Sequence, residues 1–335
     1  MRAIVITRAG GPDVLVLRDV TAPEPGPRQI RVRVHATAVN RADLLQRAGN
    51  YPAPTDVPQD IPGLEYAGTV EGLGAGVTRW IEGDRVMGLV GGGGYSEYII
   101  THEDEALPVP ASLSLTEAAA VPEAFITAHD ALITRMQLRP GESLLIHAVG
   151  SGVGTAALQL AKAHDAFVLG TQRSAWKLER ARSLGLDVPI LAEAADFADQ
   201  VMRRMSERSD ADEQPGVHGI LDLVGGGYLA GNLRAIRELG RIIVVGLVAG
   251  AKSELDMRLL LRKRATLVGT VLRARSLEEK IDAVHAFTRD VMPLLDAGSV
   301  KPVIDEVLPL AQAARAHEMV EGNGTYGKVV LEIGS

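Results

Sequence analysis

Residues 142–174 read ESLLIHAVGSGVGTAALQLAKAHDAFVLGTQRS, and this stretch decides the fold. An apolar run leads into a turn of small residues, then into a segment with helical apolar spacing, and then into a second apolar run. Backbone amides at the start of a helix can bind a pyrophosphate, so a glycine-rich turn in this context has a specific use. The stretch predicts a strand–turn–helix–strand unit that binds a dinucleotide.

The glycines of this turn depart from the usual GxGxxG motif. Val149 and Ser151 stand at the first two glycine positions, whereas Gly154 fits the third. Glycine suits such a turn because no Cβ keeps the backbone away from the phosphates. A glycine cluster could also be only a tight turn, but the flanking elements favour a cofactor site, with the helix starting near Val153. The candidate contacts in the turn are Gly150, Ser151, Gly152, Val153 and Gly154.

The end of the second strand bears on which cofactor is bound. An NAD site usually places Asp or Glu about 20 residues after the glycines, where it binds the ribose 2′-hydroxyl. Residues 170–174 read GTQRS and contain no carboxylate. Thr171, Arg173, Ser174 and Lys177 offer hydroxyls and cations to a 2′-phosphate, so NADPH is favoured. Arg173 and Lys177 could instead be solvated residues at a helix start.

The sequence on both sides of this unit divides into two kinds of pattern. Up to about residue 120, short alternating runs such as IRVRVHATAVN are separated by Gly, Asp and Pro, which predicts a β-barrel or sandwich. Further along, buried strands alternate with helical segments, which predicts an open, doubly wound α/β domain. We expect a solvated loop at residues 206–216, helices at 229–240 and 276–295, and a C-terminal strand, GKVVLEI, that rejoins the first domain.

Composition excludes several classes of protein. The 335 residues are 46% hydrophobic and 23% charged, as expected for two folded domains. A net charge of −7 argues against nucleic-acid binding, and no apolar run is long enough to span a membrane. The N-terminus lacks the pattern of a signal peptide, so we expect a cytoplasmic protein. Without cysteine there is no disulfide, thiol nucleophile or Cys-built zinc site.

Six blocks along the whole chain resemble the quinone oxidoreductase branch of the medium-chain dehydrogenase/reductase family, most strongly its p53-inducible members. They are AVNRADLLQRAGNYPAP, PGLEYAGTVEGLG, GDRVMGLVGGGGYSEY, AAAVPEAFITAHDAL, HAVGSGVGTAALQLAK and GKVVLEI. The resemblance implies an α/β fold with a GroES-like β-barrel catalytic domain, residues 1–121 and 274–335. A Rossmann NADPH-binding domain, residues 122–273, interrupts it.

The resemblance also implies that no catalytic zinc is bound. Zinc-dependent relatives carry a Cys-His pair near Asn40-Arg41 and a His immediately before the glutamate of a Gly-x-Glu block. Here that block reads Gly63-Leu64-Glu65, so leucine replaces the histidine. Glu65 remains, and it could be a structural carboxylate that accepts backbone hydrogen bonds.

The site residues follow from the same resemblance. Asn40, Asp43 and Tyr51 are expected at the nicotinamide from the barrel side, and Ser151 and Thr127 from the Rossmann side. Other expected cofactor contacts are Gly225, Gly246, Leu247, Leu272 and, more weakly supported, Lys328. Asn40 and Asp43 could instead cap a helix near Arg41, Tyr51 could be an ordinary loop residue, and Thr127 could bond its own backbone. Ala192 stands where close relatives place a Tyr, which weakens the NADPH preference.

These features predict hydride transfer from NADPH to a small electrophile such as a quinone. Tyr51, Asn40, Asp43 and Ser151 form the expected catalytic set, with Tyr51 orienting the accepting oxygen or relaying a proton. The alternatives are an enoyl or 2-alkenal reductase and a soluble NADPH-binding protein with incidental redox activity. The run ATLVGTVLRARS predicts an edge strand that pairs with a second copy in a homodimer, unless its own loops shield it.

Overall fold

The computed structural model describes residues 1–192, 197–208 and 215–334. The chain divides into two compact units. We call Met1–Ile126 with Leu272–Ser335 the split unit and Thr127–Val271 the central unit. The assignment of residues 1–121 and 274–335 to catalysis, and of 122–273 to NADPH binding, stays a prediction about what the domains do.

The described residues form strands, α-helices and a few shorter helical segments. The strands are β1 Arg2–Ile6, β2 Leu15–Asp19, β3 Gln29–Ala38, β4 Glu65–Leu73, β5 Arg85–Leu89, β6 Tyr98–His102, β7 Ala106–Pro108, β8 Ser143–Ile146, β9 Phe167–Gln172, β10 Val188–Leu191, β11 Val217–Asp222, β12 Ile236–Val244, β13 Thr266–Gly269, β14 Ile304–Pro309 and β15 Lys328–Glu332. The α-helices are α1 Arg41–Arg47, α2 Leu115–Ala118, α3 Thr127–His129, α4 Gly152–Ala163, α5 Ala175–Arg182, α6 Phe197–Arg208, α7 Tyr228–Ala235, α8 Met257–Lys263, α9 Leu277–Asp290, α10 Met292–Asp296 and α11 Ala313–Glu321. Short 3₁₀ segments lie at Pro12–Val14 and Leu310–Gln312, and π-helical segments at Pro122–Ile126 and Asp130–Arg135.

The central unit is built on one parallel sheet of six strands. Their order is β10-β9-β8-β11-β12-β13, and each neighbouring pair runs parallel. Numbered within the unit, this is the 3-2-1-4-5-6 order of the Rossmann fold. All four residues of β8 are buried, as expected for the first strand at the centre of such a sheet. The predicted doubly wound α/β domain is confirmed.

Two elements of the central unit differ from the sequence-based expectation. The helix predicted at residues 229–240 ends at Ala235, and the chain continues directly into β12. Ile236 fits both patterns, but it is fully buried and pairs with Val217 of β11. The sequence did not indicate β10, which contains Pro189. Proline is tolerated there because β10 lies at the edge of the sheet.

The split unit is built mainly from antiparallel strands. Its seven-stranded sheet has the order β14-β15-β3-β4-β5-β7, with β6 also paired to β3, and β1-β2 form a separate antiparallel pair. The apolar residues of β3, β4 and β15 form its core together with α11. The C-terminal strand β15 pairs with β3, Val330 opposite Ala38, so it does return to the first part of the chain.

The segment predicted as one helix at residues 276–295 forms two helices. α9 ends at Asp290 and α10 begins at Met292. Pro293 explains the break, since proline has no amide hydrogen to continue the helix. The loop expected at residues 206–216 falls largely on 209–214, which lie outside the described residues. Among the helices that are described, none is long and apolar enough to cross a membrane.

Candidate functional site

A buried ion pair lies where three elements of the split unit meet. Lys328 Nζ lies 2.6 Å from Glu65 Oε1, and the two side chains are 5% and 0% exposed. Asn40 donates from Nδ2 to Glu65 Oε1 (2.8 Å), while its Oδ1 accepts from Lys328 Nζ (2.5 Å). The three residues meet because β3, which ends just before Asn40, pairs with both β4 and β15. The structure therefore brings together Asn40 and Lys328, which were both expected at the site.

Both carboxylate oxygens of Glu65 accept hydrogen bonds. Its Oε2 accepts from the backbone amide of Glu123 (2.9 Å), while Oε1 accepts from Lys328 and Asn40. Buried charges persist in proteins where they are paired and hydrogen-bonded in this way. The backbone hydrogen bond expected of a structural carboxylate is confirmed, but the sequence did not indicate its pairing with Lys328. Across the described residues, no group of three or more His, Asp or Glu side chains could hold a metal ion.

Asp43 holds the first turn of α1 in place. Its Oδ2 accepts from the backbone amide of Asn40 (2.8 Å), and its Oδ1 accepts from the amide of Gly63 (3.1 Å). The capping role considered for Asp43 is thus confirmed. Complete burial raises the pKa of Asp43 to about 6, although both amide hydrogen bonds and Lys328 act to lower it.

A chain of buried polar side chains leads away from Asp43. Tyr95 Oη lies 3.2 Å from Asp43 Oδ2 and 3.1 Å from His317 Nε2, and Arg47 Nη1 lies 3.5 Å from His317 Nδ1. Arginine can only donate, so Nδ1 accepts and Nε2 carries the hydrogen. Tyr95 then accepts from His317 and donates to Asp43. Burial lowers the pKa of His317 to about 3, which agrees with a neutral imidazole.

Tyr51 lies in the same unit, beside Arg273. The guanidinium carbon of Arg273 is 5.0 Å from the centre of the Tyr51 ring, and its Nη1 donates to the Tyr51 carbonyl (3.4 Å). Arg273 is itself held by Gly91 O (2.7 Å) and Gln46 Oε1 (2.6 Å). Partial burial raises the pKa of the Tyr51 phenol above its usual value of 10.0. The sequence did not indicate Arg273, because a lone arginine after a strand carries no motif.

A cavity of the split unit opens next to these residues. Its polar lining consists of Glu105, Glu123, Arg273 and Lys280. Its apolar lining includes Leu64, Leu89, Val90, Leu272 and Val284. Burial, reinforced by the nearby Glu65 carboxylate, raises the pKa of Glu123 to about 8. The cavity has a volume of about 30 Å³, which is space for about two water molecules. Leu272, expected at a Rossmann strand end, here opens the second segment of the split unit.

The glycine-rich turn lies at the start of α4 in the central unit. Ser151 is the N-cap residue, and its Oγ accepts from the amide of Gly154 (3.0 Å). A Cβ on Gly154 would lie 2.4 Å from Ala148 O, so the helix can approach the turn this closely only with glycine there. The helix starts at Gly152, one residue before the predicted Val153.

Buried polar residues connect the strand ends beside this turn. His147 lies 2.8 Å from Thr171 Oγ1 and 2.7 Å from Asn232 Oδ1, and Asn232 donates to Asp222 Oδ2 (2.8 Å). Asp222 Oδ1 accepts from the amides of Val224 and Gly225, both at 2.8 Å, and so shapes the turn after β11. The Thr171 hydroxyl, a candidate cofactor contact, is therefore already engaged with His147.

The other candidates on the central unit differ in exposure. Arg173 is exposed and Ser174 is half-buried at the start of α5, whereas Lys177 is only 5% exposed and lies 5.4 Å from the Trp176 ring centre. Lys177 is therefore not the solvated residue considered from sequence. The remaining candidates range from buried to exposed, with Thr127 7% exposed and Leu247 54% exposed. At Gly246, an added Cβ would lie 2.3 Å from Leu223 O.

Comparisons with known proteins agree with this architecture. Residues 26–111 match the alcohol dehydrogenase GroES-like domain, and residues 152–288 match the zinc-binding dehydrogenase family. The quinone oxidoreductase of Mus musculus is 33% identical over 99% of this chain and 97% of its own. Among solved structures, an NAD-dependent alcohol dehydrogenase matches with 31% identity and a TM-score of 0.85, and the match covers 100% of each chain. A mycobacterial protein complexed with NADPH (27% identity, TM-score 0.87) covers 99% of this chain and all of its own.

Three observations define the class of protein: the β-rich split unit, the Rossmann sheet of the central unit, and these similarities to known proteins. The chain belongs to the medium-chain dehydrogenase/reductase family, in its quinone oxidoreductase branch. It is accordingly an oxidoreductase that uses a nicotinamide cofactor and acts on a small molecule. The expected α/β fold with a GroES-like domain is confirmed.

Proposed function

We propose that this chain is a zinc-independent, NADPH-dependent reductase of quinones. The observation that carries the proposal is the Asn40–Glu65–Lys328 cluster. In the zinc-dependent relatives a histidine precedes the glutamate, and here Leu64 takes that position while the Lys328 ammonium pairs with Glu65. With no zinc to polarise a carbonyl, the acceptor must take a hydride readily, as quinones do.

The central unit fits a nicotinamide dinucleotide. Gly154 lets the start of α4 pack closely against the turn at Ala148, and Ser151 caps that helix. The start of a helix placed in this way can bind a pyrophosphate. The exposed Arg173 follows β9, where an NAD site would have a carboxylate, and this supports a preference for the 2′-phosphate of NADPH. Since the solved neighbours include an NAD-dependent and an NADPH-bound protein, their fold does not decide between the two cofactors.

When bound, reduced nicotinamide supplies a hydride, and the residues of the split unit position the acceptor. Asn40 is fixed by Glu65 and Lys328, so its amide presents a constant orientation. Asp43 accepts a hydrogen bond from the Asn40 amide and so holds Asn40 in place at the start of α1. The Tyr51 phenol stays protonated and serves to orient the accepting oxygen. Positioning of this kind can provide much of the catalytic effect when hydride transfer itself belongs to the cofactor.

The proposal is tested by steady-state oxidation of NADPH and NADH against quinones, 2-alkenals and enoyl thioesters, before and after dialysis against a chelator. We expect turnover with quinones, a lower KM for NADPH than for NADH, and no effect of the chelator. Selective turnover of enals or enoyl thioesters would identify a double-bond reductase instead. Tight NADPH binding without turnover of any acceptor would identify a binding protein.

The homodimer is part of the same proposal. β13 is the outer strand of the Rossmann sheet and leaves Leu267 38% exposed. None of the residues of α8, which packs beside β12, is buried, and Met257 and Leu261 on one face of it are 56% and 72% exposed. An unpaired strand edge next to exposed apolar residues favours pairing with a second copy.

A further inference from the structure

Asp43 connects the two backbone segments that carry Asn40 and Glu65. Its carboxylate accepts from the backbone amide of Asn40 (2.8 Å) and from that of Gly63 (3.1 Å), which lies two residues before Glu65. The side chains of Asn40 and Glu65 then meet at 2.8 Å. The orientation of the Asn40 side chain therefore depends on a carboxylate that is completely buried.

Tyr95 contacts both Asp43 and Gly63. Its Oη lies 3.2 Å from Asp43 Oδ2, and its own backbone amide donates to Pro62 O (2.9 Å). Gly63 has a φ of +104°, and a Cβ there would lie 2.6 Å from Tyr95 Cδ1. Because only glycine permits this conformation and this approach, the backbone at Gly63 and the ring of Tyr95 fix each other.

His317 sets the direction in which this group of side chains donates. Arg47 donates to both carboxylate oxygens of Glu321, each at 3.1 Å, and this holds its guanidinium 3.5 Å from His317 Nδ1. Arginine can only donate, so Nδ1 accepts and Nε2 donates to Tyr95 Oη (3.1 Å). The hydroxyl hydrogen of Tyr95 then points to Asp43. Each hydrogen bond from Arg47 onwards thus donates towards the Asp43 carboxylate.

We propose that Tyr95 and His317 are positioning residues for the reductase. Together they hold Asp43 as a hydrogen-bond acceptor, and Asp43 in turn holds Asn40 in the orientation that positions the hydride acceptor. The inference rests on the proposed reductase function and adds two residues that act on it through Asp43. A neutral Asp43 would hold the Asn40 amide less firmly, because a hydrogen bond to an ionised acceptor is about twice as strong as one between neutral groups. The arrangement therefore works while Asp43 is ionised.

The charges around Asp43 act in opposite directions. Burial raises the pKa of Asp43 to about 6, and Glu65 adds to this, whereas the two amide hydrogen bonds and Lys328 lower it. Burial lowers the pKa of His317 to about 3, so His317 stays neutral while Asp43 titrates. Other charged groups that interact with Asp43 or with Tyr95 are Arg47, Arg273 and Glu123. Removing the Tyr95 hydroxyl takes a donor away from the carboxylate and should raise the pKa of Asp43 further.

The test follows kcat/KM for the best acceptor against pH at saturating NADPH. In the wild type it declines as pH falls through about 6, because Asp43 gains a proton. Tyr95→Phe moves this decline up by about one pH unit, so the rate drops about tenfold at low pH but stays near wild type at about pH 8.5. His317→Leu shifts the decline in the same direction, and His317→Gln, which keeps a donor to Tyr95, restores it. Tyr98→Phe, at a half-buried tyrosine outside this group, behaves as wild type.

A second measurement does not depend on turnover. Stability is lost as pH rises through the folded-state pKa of Asp43, so in urea unfolding the loss near pH 6 should extend about one pH unit higher in Tyr95→Phe. NADPH binding and thermal unfolding report whether each variant is folded.

Two results would overturn the inference and leave the reductase function standing. One is a wild-type pH profile in both Tyr95→Phe and His317→Leu. The other is a rate that falls equally at every pH in folded Tyr95→Phe, since a structural defect alone would do this. A wild type inactive on every acceptor would overturn both the inference and the reductase function.

Discussion

Lys328 Nζ lies 2.6 Å from Glu65 Oε1 in a region that excludes water from both side chains. Neither charge could remain there alone, because an isolated buried ion loses its hydration without compensation. Asn40 accepts from one member of the pair and donates to the other, which fixes its side-chain amide at the same time. The pair thus joins the first segment of the split unit to its C-terminal strand.

Removing one partner of the Glu65–Lys328 ion pair should destabilise the fold. Lys328→Met leaves the Glu65 carboxylate buried without its cation, and we expect a loss of about 3–5 kcal/mol in the free energy of unfolding. Urea denaturation measures it, with the exposed Lys252→Met as the matched control. The double variant Glu65→Gln/Lys328→Met should recover much of the loss. Equal stability of Lys328→Met and Lys252→Met would show that the pair does not stabilise the fold.

The titration of Asp43 should appear in the pH dependence of stability. Its folded-state pKa of about 6 lies above the ordinary 3.8, so the native state binds more protons between these values. The stability that this proton contributes is present below about pH 4 and is lost as pH rises through about 6, by about 3 kcal/mol. Asp43→Asn cannot titrate, and urea unfolding across this range should show a shallower decline for the variant.

Other groups, among them Glu123 and His317, also affect stability in this pH range, so the wild type must be compared with the variant. The pKa of Glu123 is also raised, and that of His317 is lowered. His317 acts in the opposite direction, because it destabilises the fold as pH falls below about 6.5 and the unfolded imidazole gains a proton. The difference between wild type and Asp43→Asn isolates Asp43, and parallel curves would contradict its assignment.

The sequence predicted most of the fold and about one half of the buried polar residues around Asn40 and Asp43. The doubly wound α/β domain followed from alternating patterns, and β15 followed from a closing apolar run. Periodicity could not separate α7 from β12, because Ile236 fits an apolar face in either element. The resemblance to the family implied Asn40, Asp43 and, more weakly, Lys328. Tyr95 and His317 lie 222 positions apart in sequence, and their contact depends on tertiary packing that no local pattern encodes.

The glycine at position 154 should be essential to cofactor binding. In Gly154→Ala the new methyl group meets Ala148 O, a backbone atom that cannot rotate away, so the turn must shift. We expect at least a tenfold rise in Kd for NADPH together with a lower Tm. Fluorescence titration and calorimetry measure these, with Gly227→Ala as control because a Cβ there meets nothing within 4 Å. An unchanged Kd in Gly154→Ala would contradict a pyrophosphate site at this turn.

Arg173 should distinguish the two nicotinamide cofactors. It is exposed at the end of β9, and a cation there attracts the additional phosphate of NADPH but gains nothing from NADH. We expect Arg173→Ala to raise Kd for NADPH about tenfold, equivalent to about 1.4 kcal/mol, and to leave Kd for NADH unchanged. The effect should diminish at high salt, because exposed charges are screened. Equal changes for both cofactors would indicate a general effect on the turn.

The proposed dimer can be tested at the exposed edge of the Rossmann sheet. A charge at Leu261 would be solvated in a monomer but buried without a partner at an interface, so Leu261→Glu should shift the protein towards the monomer. Light scattering after size exclusion measures the mass directly. Ile81→Glu, at a 69% exposed position of the split unit, is the matched control and should leave the mass unchanged. A dimer that persists in both Leu261→Glu and Leu267→Lys would place the interface elsewhere, and a wild-type monomer would remove it.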